Sequence, residues 1–443
     1  MFFFYWLIAI MPLEDHPFWG QEIVGTLTMV KLVGLLCVFA AVIRMFTTGS
    51  MPSFFGSTSS WWYAAYFLLQ FCSLLVHGGR IPTYSLILSD SFLFVVTLTL
   101  VDSTLRLRGS LLVAIGAVGF TSLYAIREWQ KYHGMYVGFR AWGMLSDANE
   151  YAVFVGLWIP LAFLWAFGKR PWWEKIFCLG CLASCLLGTS FAASRGGFLG
   201  LVASFLLLIW HSRRRVRNLA LLGVLLLPLG LLNFTSAWNR LLHPSYGDKV
   251  GQQARLVAWQ VGWKMIKAHP LFGVGLGNFK AIMPGYQESV PKVVSIAHNT
   301  YVETAAELGI PGLIVFLGIW VSSLRMLGRL RRTAQTARLP SFSALALGLQ
   351  AGMVSYLVQS FFVSAWWYRM CWLLLFLALC LDRLAKAAPV PRIHASMAGA
   401  NGKTPPTCKS QKEDASRQAV LPKPLWGAVT SPSPRPIQNR SAW

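Results

Sequence analysis

The sequence predicts an all-α integral membrane protein of about twelve transmembrane helices, with a long external loop between the ninth and tenth. Three observations carry that reading. Of the 443 residues, 55% are hydrophobic and only 12% charged, with 20 Trp and 29 Phe, a composition outside the soluble globular range. Apolar runs recur from the first residue to about residue 386, and a helix needs roughly 20 such residues to cross a bilayer. Counting those runs off in order brings the lysines and arginines of the short loops to one side, as the positive-inside rule requires.

The first run, 1–12, is short for a crossing, as a truncated start would be. It lacks the basic start and small-residue cleavage site of a cleaved signal peptide. Further spans are expected near 22–44, 61–77, 82–101, 109–127, 150–168, 173–190, 195–210, 218–235, 308–324, 341–362 and 366–382. Arg106 and Arg108, Lys169 and Arg170, the run from Arg213 to Arg217, and Arg325, Arg329, Arg331 and Arg332 then share one side, the cytoplasm. Both termini lie inside and 236–297 lies outside. Residues 1–387 form one polytopic domain that includes this loop. From 388 to 443 the composition turns to Pro, Ser, Lys and Gln, which cannot bury enough surface to offset its ordering entropy, so a disordered cytoplasmic tail is expected.

The formal net charge of +23 is spread over membrane loops and the tail. No nucleic-acid-binding module accompanies it, so nucleic acid is excluded as a partner and membrane lipid phosphates are the natural counter-charge. The cysteines at 178, 181 and 185 share one apolar segment without a histidine or carboxylate, which reads as a helix packing face rather than a metal clamp. Two ionisable residues, Lys31 and Asp90, fall inside apolar runs at matching depth, roughly 12–14 Å from the outer surface at ~1.5 Å per residue. Opposite sign and equal depth suggest that they pair, as a structural ion pair or as part of a transport path.

The longest polar interruption, Ala254 to Gly312, holds most of the chemistry-bearing residues. Arg255 opens a helix with Leu256, Trp259, Trp263 and Ile266 at three- and four-residue spacing, a stripe suited to lying in the membrane interface. The turn Gly273-Val274-Gly275-Leu276-Gly277-Asn278 lacks the Gly-Lys-Ser/Thr ending of a phosphate loop and reads as a tight backbone turn. His298 follows, where the loop meets the next apolar run, and a neutral imidazole there could take a proton from a hydroxyl. Arg195 sits in a short turn, Ala193 to Gly197, between two apolar helices, where snorkelling explains it poorly. Arginine forks near an outer leaflet suit a diphosphate.

Arg255, then HPLFGVGLGNF, then AHNTYVETAAELGIPG, together with the ASRGG turn and RAWGMLSDANEYA from Arg140 to Ala152, resemble the O-antigen ligase and polymerase family of bacterial envelope enzymes. The resemblance covers roughly residues 120 to 325. It implies a multi-span fold of the bacterial inner membrane with an active site facing the periplasm or exterior. The implied activity is an inverting, metal-independent glycosyl transfer with no cofactor, from a polyprenyl-diphosphate-linked glycan to a lipid or glycan acceptor. Matched onto the family's blocks, His298 is the general base and Arg195 and Arg255 hold the diphosphate. Arg140, Asn149, Asn299 and Tyr301 are candidate substrate contacts. Ser146-Asp147-Ala148-Asn149 departs from the family's usual Asn-Pro-Asn, which bears on any substrate role for that block. A transporter or flippase of an anionic or lipid-linked solute is the alternative that shares the hydropathy; Lys31 and Asp90 favour it, while the long external loop does not.

Overall fold

Inside lipid a backbone must satisfy its own polar groups, and for a single apolar segment the α-helix does so. The structure, a computed structural model, follows that rule. It describes residues 1–14, 22–24, 27–49, 52–78, 81–136, 139–212, 215–216, 219–220, 223, 246–288 and 294–387. Apart from a small antiparallel hairpin, β1 (Glu22–Val24) and β2 (Leu27–Thr28), every described element is helical. The helices are α1 (Phe2–Ile10), α2 (Met29–Thr48), α3 (Thr58–His77), α4 (Ile81–Leu100), α5 (Thr104–Tyr132), α6 (Ala148–Gly156) and α7 (Ile159–Ala166). They continue as α8 (Trp172–Ala192), α9 (Arg195–Trp210), α10 (Tyr246–Ala268), the single turn α11 (Phe279–Ile282), α12 (Thr300–Thr336), α13 (Pro340–Gln359) and α14 (Arg369–Ala387). Side-chain caps set many of the starts: Thr28, Ser57, Ser103, Asp147, Ser194 and Asn299 each accept a backbone N–H of the first turn.

The expected count of about twelve spans is not what the described residues contain. Six helices, α2, α4, α5, α8, α12 and α13, are long and apolar enough to cross a membrane, and the count reaches seven if the bent pair α6–α7 is one span. Hydropathy reports composition, not the length or continuity of a helix, and this is where the expectation failed. The runs at 1–12 and 195–210 form helices too short to qualify. The run at 150–168 breaks between α6 and α7 with a 41° bend. In α3, serine, tryptophan, tyrosine and glutamine dilute the apolar character. Every 18-residue stretch of α14 carries three or more charges, from among Arg369, Asp382, Arg383 and Lys386. Most of the run at 218–235, the external loop before residue 246 and the tail from 388 lie outside the described residues.

The apolar centre is α14. Every residue from Met370 to Asp382 is buried, so this helix meets neighbours all round rather than presenting one face to lipid. Tyr63, Tyr66, Phe94 and Trp320 close around Trp372 and Phe376 with ring centroids 4.9–6.4 Å apart. At the head of α14, Arg369 pairs with Glu14 and faces Asp90, Nε to Oδ1 3.8 Å. The ion pair that holds Asp90 is therefore with Arg369, not with the expected Lys31. A cavity of about 130 Å³ lies beside it, lined by Glu14, Trp367, Tyr368 and Arg369 with apolar neighbours.

The helices run up and down, so their ends sort into two groups. One end carries many of the loop arginines: Arg106 pairs with Asp102 at 2.9 Å and Arg108 donates from Nε to Glu174 at 2.6 Å. The other end joins the close of α5, α8 and α13 to the starts of α6, α9 and α12. Ala141 donates to Phe191 O at 3.1 Å, and the Thr300 N–H is shared between Ser360 O (2.8 Å) and Val363 O (3.1 Å).

A break in α12 shapes that second end. Pro311 cannot donate to the helix, and Gly309 takes φ 73°, ψ −178°, outside the helical region. The carbonyls released by the break are captured by the glycine turn: Val274 donates to Ala306 O at 2.8 Å and Gly275 to Glu307 O at 3.1 Å, while Ile310 donates to Pro270 O at 2.8 Å. A Cβ at Gly273, which has φ 64°, would run into the backbone of Glu307. The sequence expectation of a tight turn here holds, and its purpose is to dock on the broken helix.

Candidate active site

The site builds outward from that docked turn. Helix α10 is amphipathic in the way the spacing predicts. Its inner face, Ala258, Val261 and Met265, packs with Val274, Phe279, Met283, Ala297 and Ala306 in one buried cluster. Leu256, Trp259 and Trp263 stay exposed, whereas Ile266, assigned by spacing to the same stripe, packs against the cluster. Trp259 lies one helical turn beyond Arg255, and its indole Nε1 donates to Ala297 O at 2.9 Å. This bond ties the Arg255 end of α10 to the residue just before His298.

His298 itself is held from both sides. Ala297 donates its N–H to Glu303 Oε2 at 3.2 Å, and the Ser364 hydroxyl donates to the same oxygen. Asn299 caps α12, its Oδ1 accepting from Tyr301 N (3.0 Å) and Val302 N (3.1 Å). Between them His298 adopts φ 49°, a left-handed conformation unusual for a non-glycine residue. The ring is half-buried. Burial pushes its pKa from 6.5 to about 4, the Arg255 charge adds to this, and Asp147 opposes it. The imidazole is thus neutral at physiological pH, the state a proton acceptor needs.

Arg255 is half-buried as well. Burial lowers its pKa; Asp147 works against this and Arg195 with it. An arginine stays charged even so. These influences put Arg255 within electrostatic reach of His298, Asp147 and Arg195, and His298 within reach of Asp147. Arg195 is exposed at the first position of α9, after Ala193 in a left-handed turn of φ 45° and the cap Ser194, which accepts from Gly197 N at 3.2 Å.

Arg140 and Asn149 brace this turn. Arg140 donates through Nε to Ala192 O and through Nη2 to Asn149 Oδ1, both at 2.8 Å, and Ser194 donates to the same Asn149 oxygen at 3.0 Å. Sequence reasoning placed both at the site, and the structure brings them to it, with these atoms spent on the turn that carries Arg195. Asn299 and Tyr301 are likewise adjacent to His298. Their polar atoms serve the α12 cap and a bond from Tyr301 Oη to Leu357 O at 2.6 Å.

Three carboxylates were not singled out from the sequence. Asp147 is the N-cap of α6; its Oδ1 accepts from Asn149 N (2.7 Å) and Glu150 N (3.4 Å), and a cap signal, Ser-Asp before an apolar run, was there to be read. Glu303 and Glu307 are buried on α12, and Glu307 Oε1 accepts from Phe279 N at 3.1 Å. Their spacing of four residues puts them on one helix face, although only the fold shows what they hold. Among the described residues no group of three His, Cys, Asp or Glu side chains is placed to hold a metal ion.

What the helical bundle and this polar end define is a multi-pass membrane protein with a cationic, histidine-bearing site at one end. Residues 177–317 match a family model described as O-antigen ligase. The matched stretch runs from α8 through the Arg195 turn, α10, the glycine turn and His298 into α12; Arg140, Asp147 and Asn149 lie before it. No curated protein matches the chain.

Proposed function

We propose that this protein is a membrane glycosyltransferase that moves a glycan from a polyprenyl diphosphate to an acceptor hydroxyl, at the outer face of the bacterial inner membrane. The observation that carries the reading is a neutral His298 within reach of Arg255, itself within reach of Arg195, inside the stretch that matches the O-antigen ligase model. The acceptor oxygen attacks the anomeric carbon as its proton passes to the His298 ring. The bond from that carbon to the diphosphate oxygen breaks, and the polyprenyl diphosphate leaves with the electron pair. A single displacement of this kind inverts the anomeric centre. Arg195 and Arg255 neutralise the charge that grows on the leaving diphosphate, the work a divalent metal does elsewhere. Arg140 and Asn149 act by holding the Arg195 turn, and Asn299 and Tyr301 by fixing the start of α12 beneath the substrate.

The test is transfer by purified protein in liposomes with lipid-linked glycan, scoring donor binding and product separately. His298→Ala is expected to bind donor and to lose roughly 10²- to 10⁴-fold in turnover, the usual loss on removing a general base. Wild-type turnover by that variant refutes the mechanism.

A further inference from the structure

The start of α12 carries one tie more than the helix needs. Asn299 caps it fully, its Oδ1 taking the N–H groups of Tyr301 and Val302. In the usual reciprocal arrangement, a glutamate at the third helical position reaches back to the N–H of the cap residue itself. Glu303 stands one position further on and reaches past both the cap and His298, to the N–H of Ala297 at 3.2 Å. What that bond closes is a loop of chain with His298 inside it.

The carboxylate is itself placed by a second element. The Ser364 hydroxyl donates to the same oxygen, Oε2. The neighbours of Ser364 are both bound to Thr300, whose Oγ1 donates to Val363 O at 2.7 Å and accepts from Ala365 N at 2.9 Å. Glu303 is buried, where a polar group is tolerated only if hydrogen-bonded. Ala297 is thus fixed twice, its N–H by Glu303 and its carbonyl by the Trp259 indole at 2.9 Å. The residue after His298 is fixed by the cap, and His298 between them takes φ 49°. A residue with a side chain keeps such a conformation only where its surroundings over-determine it. With the Glu303 tie removed, the backbone is free to return to an ordinary conformation and to carry the ring with it.

We propose that Glu303 is a positioning residue for the transfer step, its carboxylate holding the Ala297 N–H so that the His298 ring stays where it can take the acceptor's proton. The proposal rests on the reading of His298 as the base. The role is geometric: it needs an acceptor oxygen at this point, not a charge.

Glu303→Leu removes the acceptor at similar volume, whereas Glu303→Gln keeps an oxygen for the Ala297 N–H. In the reconstituted assay with lipid-linked glycan, kcat of Glu303→Leu is expected to fall about 10- to 100-fold, since a misplacement near 1 Å can cost about 10²-fold. Donor KM should stay within twofold, because neither arginine is touched, and Glu303→Gln should recover most of kcat. Ring placement is read without turnover from the rate at which diethyl pyrocarbonate modifies His298, with exposed His269 as the internal reference. That rate should rise severalfold in Glu303→Leu and return towards wild type in Glu303→Gln. A kcat within twofold of wild type in Glu303→Leu overturns the proposal. So does a Glu303→Gln no better than Glu303→Leu, or a loss of kcat with His298 modified at the wild-type rate, the mark of a merely structural role. Should Glu303→Leu not fold, Ser364→Ala decides, since it removes one anchor of the carboxylate; a severalfold fall in kcat at level donor KM supports the proposal and wild-type kcat overturns it. Full turnover by His298→Ala removes this proposal together with the base on which it rests. An inactive His298→Ala beside an unaffected Glu303→Leu removes the proposal alone.

Discussion

The depressed pKa of His298 makes a sharp prediction about acid. An ordinary histidine, near 6.5, is only about one-tenth neutral at pH 5.5, so a base of that kind would lose about tenfold in rate between pH 7.5 and 5.5. His298, lowered to about 4 by burial first and by Arg255 second, is still almost wholly neutral at pH 5.5. Turnover should therefore stay nearly flat down to about pH 5 and fall only as pH approaches 4. Stability follows with its own sign. Below about pH 6.5 the unfolded chain takes up a proton at this histidine that the folded chain refuses until about pH 4, so folded stability declines across that window. At about 1.36 kcal/mol per unit, the decline attributable to this one ring is roughly 3 kcal/mol, and it is absent above pH 6.5. The assay pairs a pH–rate profile in liposomes with thermal melts by tryptophan fluorescence, both run against His298→Gln. The variant should be inactive, and it should lose less stability than wild type between pH 6.5 and 4. A rate profile with its midpoint at 6.5, or parallel acid melts for the two proteins, refutes the argument that burial and Arg255 hold the ring neutral.

The remaining predictions concern the arginines, the ion pair and the topology. Arg195→Ala and Arg255→Ala should weaken donor binding as well as turnover, and lysine should rescue only in part, because an ammonium cannot reproduce the two-pronged guanidinium contact; direct donor binding checks both. Polyprenyl diphosphate at about 100 times its Kd should raise the melting temperature of wild type, a linkage worth about 2.7 kcal/mol, and raise it much less in either alanine variant. Arg369→Met should lower folded yield, since it strands Glu14 and Asp90 at a cost of roughly 3–5 kcal/mol, and adding Asp90→Asn should restore part of it; equal yields would show that the pair does not matter. A cysteine at exposed Gln260 should react with an impermeant thiol reagent from outside intact cells, and one at exposed Arg332 should not. The opposite labelling puts the site on the wrong face for a lipid-linked glycan.

The sequence was most informative where a local pattern carries its own geometry. The Trp259 and Trp263 face of α10 and the turn at Gly273 both depend on residues within a few positions of one another, and both are found in place. His298, Arg255 and Arg195 were marked by family blocks, and folding brings Arg255 within electrostatic reach of the other two. What depends on long-range packing was not legible. Nothing near Asp90 in the chain points to Arg369, 279 positions away, as its partner. The burial of α14 on all sides cannot be read from a composition that a lipid-facing helix could share. The span count failed partly for this reason, since the break after Gly156 and the length of α9 show only in the fold, and partly because the polar residues of α3 and the charges of α14 count against a span.

The electrostatics of the site also explain why its scaffold is so heavily braced. With His298 neutral, the charges that converge are two arginines and one aspartate, a net of one positive charge at the end of an apolar bundle. Like charges held together at partial burial repel, and flexible side chains would separate into water if nothing restrained them. Here the restraint lies in the backbone rather than in the ions. Bonds from Arg140 and Ser194 to Asn149 fix the Arg195 turn, the Trp259 indole ties α10 to Ala297, and the broken turn of α12 is locked onto Gly273–Gly275. A site preorganised in this way pays its reorganisation during folding and not during reaction. On the proposed function, its unbalanced charge is available to a doubly anionic diphosphate, which gains from the arginines what they cannot gain from one another.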